Sequence, residues 1–298
     1  MNNLVITGTI GLDDIKTPFG KARAVLGGSG TYASFAAAFF LRPALLAVVG
    51  QDFPAKYLQI LEEKADSQGL VQKGKNFRWS GEYLYDMNEA KTLKTSLNAL
   101  KNYRPILPPK YRQARYLFLA ATDPLHQLSI HRQAKSRPFT VLDTRAIWIE
   151  DARKNLLKII KQVNLFVLND AEARLLCQTP NLIKAGRSLL DLGPEYVVIK
   201  KGEHGALLFS YHGIFSAPAY PLEEVKDPTG AGDSFAGGLI GYLAKKGKTD
   251  EKTVRQGIIF GSAIASFCAE DFGTEKLKKI NLKDIKERYE VFRQIRKF

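Results

Sequence analysis

The residues best suited to chemistry lie at Asp227-Pro228-Thr229-Gly230-Ala231-Gly232-Asp233, which runs directly into a helical pattern over 234–244. Small residues at a helix start leave several backbone N–H groups unshielded. Together with the helix dipole they would form a site for an anion such as a phosphate. A carboxylate there repels the ligand, so Asp233 needs another reason for its position. Facing a hydroxyl that attacks phosphorus, it would be a general base. A group of pKa about 4 cannot deprotonate an alcohol beforehand, but in a loose phosphoryl-transfer transition state the proton leaves late. The plainer alternative is an Asp cap in a glycine turn, for which this motif is more specific than capping requires.

Two further clusters are candidates. Asn169-Asp170-Ala171-Glu172 follows a strand pattern at 165–168, and ligands of parallel sheets sit at strand carboxyl ends. Asn169 and Glu172, three apart, can order the waters of a magnesium ion, or simply cap a helix. Lys200-Lys201-Gly202-Glu203-His204-Gly205 lies between two apolar runs. It is either a hairpin turn or a glycine turn beneath a nucleotide. Two other motifs fail on context. Gly241 to Thr249 has five residues before Gly-Lys-Thr where a Walker A loop has four, and it ends a helix with no strand before it. Gly28-Ser29-Gly30-Thr31-Tyr32-Ala33 fits a dinucleotide pattern, but the first sheet strand is too distant.

The elements that must hold these groups alternate. Apolar runs predict strands at 4–9, 44–49, 116–120, 139–143, 165–168, 196–200 and 206–210, with helical patterns at 29–41, 53–66, 125–136, 149–161, 170–177 and 181–191. From Gly230 onward the pattern is almost purely helical. Continuous apolar strands separated by helices predict an α/β chain, its mostly parallel sheet covered on both faces. Two segments break the rhythm. Residues 14–25 are short and polar and suggest a hairpin. At 76–97, Phe77, Trp79, Gly81, Tyr83 and Tyr85 share one parity, the mark of an antiparallel pair with an aromatic face. Such insertions suggest a β-lid on a single domain spanning 1–298. The aromatic face could cover an acceptor, pack on the core, or form a dimer, so both monomer and homodimer stay open.

Composition narrows the class. Among 298 residues, 45% are hydrophobic and 25% charged, which excludes disordered and fibrous proteins. Cys177 and Cys268 are too few for a disulfide scaffold, and Met1-Asn2-Asn3 lacks the positive charge of a signal peptide, so a reducing cytoplasm is expected. The apolar stretch at 31–50 is broken by Arg42 and Pro43, and reads as helix, turn and strand with no membrane span. Net charge is +14, and residues 276–298 carry nine Lys/Arg against three Asp/Glu. Leu282, Ile285, Tyr289 and Phe292 recur there at helical spacing, so the charge reads as the wet face of a packed helix. No specific nucleic-acid partner is expected, although a positive field would draw in anionic substrates.

Taken together, these residues resemble the ribokinase-like (PfkB) family of carbohydrate and nucleoside kinases. The likeness runs through Gly8 with Asp13, Gly27-Gly28, Asn169 with Glu172, Lys201-Gly202 with Gly205, and Asp227 to Asp233. It implies a three-layer αβα domain with a β-lid, and transfer of the ATP γ-phosphate to a hydroxyl of a small sugar or nucleoside. By position, Asp233 would be the base and Gly230, Ala231 and Gly232 the anion hole. Asn169 and Glu172 would order Mg2+ through water. Lys200, Gly202, Gly205, Asp227 and Ser266 would meet the nucleotide, and Asp13, Gly27, Gly28, Tyr32 and Trp79 the acceptor. Tyr32 stands where ribokinase has an Asn, and Gly28-Ser29 with the aromatic lid leans toward the adenosine-kinase side. A small sugar is the first expectation, a nucleoside the second. A catalytically inactive metabolite-binding regulator would be expected to lack Asp233 or the Asn/Glu pair, and all three residues are present.

Overall fold

Strand and helix alternate along the computed structural model, which describes residues 3–295. The first part comprises β1 (Leu4–Thr7), β2 (Gly11–Thr17), β3 (Gly20–Gly27), α1 (Ser29–Ala38), β4 (Ala44–Val49), α2 (Ala55–Lys64), β5 (Asp66–Gln72), β6 (Phe77–Tyr83) and β7 (Ala90–Ser96). The middle holds β8 (Tyr116–Leu119), α3 (Pro124–Gln133), β9 (Phe139–Asp143), α4 (Ala146–Asp151), α5 (Arg153–Ile160), β10 (Leu165–Asn169), α6 (Asp170–Cys177) and α7 (Leu182–Leu190). There follow β11 (Tyr196–Lys200), β12 (Ala206–Ser210), β13 (Gly213–Ala217), α8 (Ala231–Lys246), α9 (Glu251–Cys268), α10 (Glu275–Lys279) and α11 (Leu282–Ile295).

The large sheet has the order β13-β12-β11-β10-β9-β8-β1-β4-β5. Its strands run parallel except where β11, β12 and β13 pair antiparallel. Alternate residues of each strand feed opposite cores. Leu4, Ile6, Leu165 and Val167 join α1, α8 and α9 on one face. Val5, Phe166 and Leu168 join α3, α5, α6 and α7 on the other. Strands buried on both faces must be apolar at every position, which is why β1, β4 and β8 were legible as runs. β5 lies at the sheet edge with Asp66, Gln68 and Gln72, so it lacks such a run and the periodicity missed it. The helix predicted over 149–161 is instead α4 and α5, broken at Ala152, whose φ of −131° is not helical. The break leaves Arg153 Nη2 able to donate to Leu176 O at 2.7 Å.

The segments that broke the rhythm form a second sheet, β3-β2-β6-β7. β2 and β6 pair in parallel with Asp13 opposite Trp79, which sets the two side chains on one face. The shared aromatic parity ends earlier than the sequence suggested. β6 stops at Tyr83, and Tyr85 lies beyond it in the turn, 86% exposed. The near-Walker segment is the end of α8, capped by Gly247 in the left-handed region. In α11, Ile285 and Phe292 are buried and Tyr289 stacks on Phe260 at 4.2 Å. Among the described residues, no helix is long and apolar enough to cross a membrane.

Candidate active site

Helix α8 starts under tight local control. Gly230, its N-cap, has φ +79°, and a Cβ there would overlap the ring of Tyr32. Ala231 N–H donates to Pro228 O at 3.1 Å, and Ser234 N–H to Gly230 O at 2.8 Å. Among the described residues, the amides of Gly230, Gly232 and Asp233 have no such acceptor. The free donors at this helix start are therefore these three, and the expectation that Ala231 supplies one is corrected by its bond to Pro228.

Charge gathers around these amides at the carboxyl ends of β9, β10 and β11. A Cβ on Gly232 would lie 3.1 Å from Lys200 Nζ, so the ammonium sits directly beside the helix start. Lys200 Nζ also meets Asp143 Oδ2 at 3.2 Å, with Asp143 almost fully buried. Arg145, two residues further on, retains an exposed surface although protein surrounds much of it. Burial would discharge it, but Asp233 and then Glu172 outweigh that and hold it charged. Burial pushes the Asp233 carboxyl up, helped by Asp143, while Arg145 and Lys200 pull it down. Asp143 and Arg145 escaped the sequence reading. Their position at the end of a parallel strand was the one available signal.

Asn169 and Glu172 form a reciprocal capping box: Glu172 N–H donates to Asn169 Oδ1 at 2.7 Å, and Asn169 N–H to Glu172 Oε2 at 2.8 Å. The plain capping alternative is thus real, yet Glu172 is also buried among charges. Burial raises its pKa, Lys200 lowers it, and Asp143 raises it again. Asp13 is 3% exposed and lies against Gly27, where a Cβ would overlap its carboxylate. Burial lifts it to about 7 against the pull of Arg145, and it accepts from the backbone of Gly28.

Several candidate residues hold the site from outside it. Tyr32 is 1% exposed, its ring beneath Gly230 and its hydroxyl without a partner; it is a pillar under the helix start rather than an acceptor contact. Asp227 spends both oxygens on backbone, accepting from Thr229 N–H at 2.9 Å and Gly273 N–H at 3.1 Å. It orders the loop before the helix start. Ser266 Oγ donates to Ala263 O at 2.7 Å and accepts from Arg288 Nη1 at 2.6 Å, so its hydroxyl is committed between α9 and α11. Gly205, with φ +81°, lets the β11–β12 turn pass the carbonyl of Ala217. Gly28, with φ +96°, passes Thr9 O in the same way. Gly202 faces the lid, and an added Cβ would lie 3.7 Å from Asn88 Oδ1. Trp79 lies over Gly81, and its Nε1–H donates to Thr92 Oγ1 at 3.2 Å. A separate surface cavity, lined by His212, Phe215 and Lys252 among others, sits at the amino end of α9, the opposite end from the Thr229 contact of Cys268.

The fold is a three-layer α/β one, and comparison supplies the family. The model of the "pfkB family carbohydrate kinase" matches residues 19–280, and the chain belongs to that family. It is 32% identical over 267 residues to a cytidine kinase of Thermococcus kodakarensis, covering 87% of this chain and 94% of that one. A nucleoside kinase of Methanothermobacter thermautotrophicus is 27% identical over 241 residues, covering 79% and 75%. Among solved structures, the nucleoside kinase of Burkholderia thailandensis in complex with ADP-inosine superposes with TM-score 0.80 at 17% identity, covering 97% of this chain and 95% of that chain. The nucleoside kinase of Methanocaldococcus jannaschii gives 0.77 at 21%, covering 97% and 98%. The three-layer ribokinase-like fold is therefore established, and the chain is a kinase of the sugar and nucleoside kinase group. The regulator reading finds no support among these relatives.

Proposed function

We propose that the chain transfers the γ-phosphate of ATP to a hydroxyl of a nucleoside, with Asp233 as general base. The observation that carries this is the placement of Asp233 among free helix-start amides, with Lys200 and Arg145 alongside. Donors and cations meet where charge develops on a transferring phosphoryl group, and a carboxylate stands where the attacking hydroxyl must lose its proton. Asp13, against Gly27, suits the hydroxyl pair of a ribose or a free sugar equally. Trp79 favours the nucleoside, because its ring shares a face with Asp13 and would stack on a base. The named activities of the curated relatives support the same choice over the small sugar first expected. ATP turnover against a panel of nucleosides and sugars tests it. Faster turnover of any sugar than of every nucleoside would overturn the acceptor assignment.

Among the described residues, no three His, Cys, Asp or Glu side chains stand together as a metal cage. A magnesium ion held mainly by phosphates and water fits better, with Glu172 and Asn169 ordering that water. Burial and Asp143 raise the Glu172 carboxyl against Lys200, so a cation bound nearby would favour its ionised form. Bound there, the metal would neutralise charge on the phosphates. Glu172→Gln should raise the magnesium concentration giving half-maximal rate several-fold while acceptor KM stays within about twofold. An effect confined to acceptor KM would assign the pair to the acceptor site instead.

Trp79→Ala separates the roles open to the aromatic face. If Trp79 covers the acceptor, KM for the acceptor rises about tenfold, or ATP hydrolysis increases relative to transfer, and the oligomeric state is unaltered. A dimer face would show as dissociation in size-exclusion chromatography, with kinetics following assembly.

A further inference from the structure

Thr229, the residue before the helix start, is held at three atoms by three different parts of the chain. Its N–H donates to Asp227 Oδ1 at 2.9 Å. Its carbonyl accepts from the buried Cys268 thiol at 3.5 Å. Its hydroxyl donates to Tyr83 Oη at 3.1 Å, and Tyr83 is the last residue of lid strand β6. Thr229 precedes the N-cap Gly230, so its carbonyl stands outside the helical ladder and, among the described residues, Asp233 N–H has no backbone acceptor.

The Tyr83 contact joins this arrangement to the lid. Tyr83 is 9% exposed, and its hydroxyl accepts from Thr229. It stands close enough to Asp227 and Arg145 for both to act on it electrostatically. Burial carries its pKa to about 12, and the Thr229 bond and Arg145 oppose that, so at neutral pH it remains a phenol. At the other end of the hairpin turn, Asn88 approaches Gly202, so the lid meets both the helix start and the β11–β12 turn.

We infer that Tyr83 is a positioning residue: through the Thr229 hydroxyl, the lid in its seated position fixes the helix start with the Gly230, Gly232 and Asp233 amides free for phosphate. Lid seating and phosphate stabilisation are thereby linked, so the donor amides are in place only when the acceptor is covered. This rests on the reading that those amides bind the transferred phosphate.

The experiment compares Tyr83→Phe, Thr229→Val and their double variant with the wild-type chain. Each single change removes one end of the same hydrogen bond. It should lower kcat about five- to tenfold with both KM values within about twofold, as expected for one hydrogen bond expressed in the transition state. The double variant should lose no more than either single one. Thr229→Ser, which returns the hydroxyl, should recover most of what Thr229→Val loses. Without nucleotide, hydrogen exchange at the bonded amides of Ala231 and Ser234 should be faster in Tyr83→Phe. Multiplicative losses in the double variant, a change confined to acceptor KM, or unaltered exchange together with unaltered kcat would each overturn the linkage. Absence of ATP-dependent transfer by the wild-type chain would instead defeat the reading beneath it, so the two failures are distinguishable.

Discussion

Asp233→Asn should fold, bind nucleotide and lose nearly all phosphoryl transfer, with kcat lower by two to four orders of magnitude or more. Loss of a general base costs about 10²–10⁴-fold, and more when the group also orients the nucleophile. The amide keeps the shape of the side chain, so the neighbouring donors and cations stay where they are. A variant keeping a third of wild-type turnover would remove Asp233 from the role of base. The same assignment fixes a pH dependence. Burial and Asp143 raise the Asp233 carboxyl against Arg145 and Lys200, so kcat/KM of the wild type should fall on the acid side above the ordinary carboxylate range. The residual activity of Asp233→Asn should lack that limb.

Stability should move the other way. A carboxyl whose folded pKa lies above its unfolded one contributes stability below the unfolded value and loses it as pH rises through the folded value. At pH 8, ionised Asp233 therefore costs stability, and Asp233→Asn should melt at the same temperature as wild type or higher. Its advantage should shrink as pH falls through the range where Asp233 takes up its proton. Asp13 and Glu172 are likewise raised by burial, so the same sign holds for them.

The parts of this molecule that announce themselves in sequence are those where one local rule suffices. Strands such as β10 and β11 are buried on both faces and read as apolar runs, and the glycines around Asp233 mark a helix start that must stay open. What stayed hidden depends on contacts far apart in the chain. Arg145 and Asp143 carry no motif of their own, and they matter because β9 ends beside β10, one strand away from β11. Asp227, Tyr32 and Ser266 were expected to meet ligands; that Asp227 and Ser266 bond neighbouring parts of the chain and Tyr32 lies buried under Gly230 is visible only once their hydrogen bonds and burial are known. The parity of Phe77, Trp79 and Tyr83 revealed a strand, but not that Tyr83 would reach a residue 146 positions away. For Asn169 and Glu172, capping and site chemistry coexist, so neither sequence alternative excluded the other.

Gly230→Ala should cost at least about 100-fold in kcat while leaving a folded protein. Two penalties act at this position. An L-residue in the left-handed region costs about 1–2 kcal/mol, and at φ +79° alanine meets that in full. The new Cβ would also overlap the ring of Tyr32, which is fully packed and cannot swing away, adding about 1–3 kcal/mol of overpacking. Their sum stays below the roughly 5–15 kcal/mol that holds a domain together. The melting temperature should therefore fall by about 3–8 °C without loss of the circular dichroism of the native fold. The backbone can relieve the overlap only by lifting the helix start, which displaces the Gly230, Gly232 and Asp233 amides from the phosphate. A misplacement of about 1 Å costs on the order of 10²-fold, and loss of one donor a similar factor. If the Tyr32 ring is what forces that movement, Tyr32→Leu combined with Gly230→Ala should transfer phosphate faster than Gly230→Ala alone. Activity of Gly230→Ala above a third of wild type would mean that the transferred phosphate does not depend on these amides.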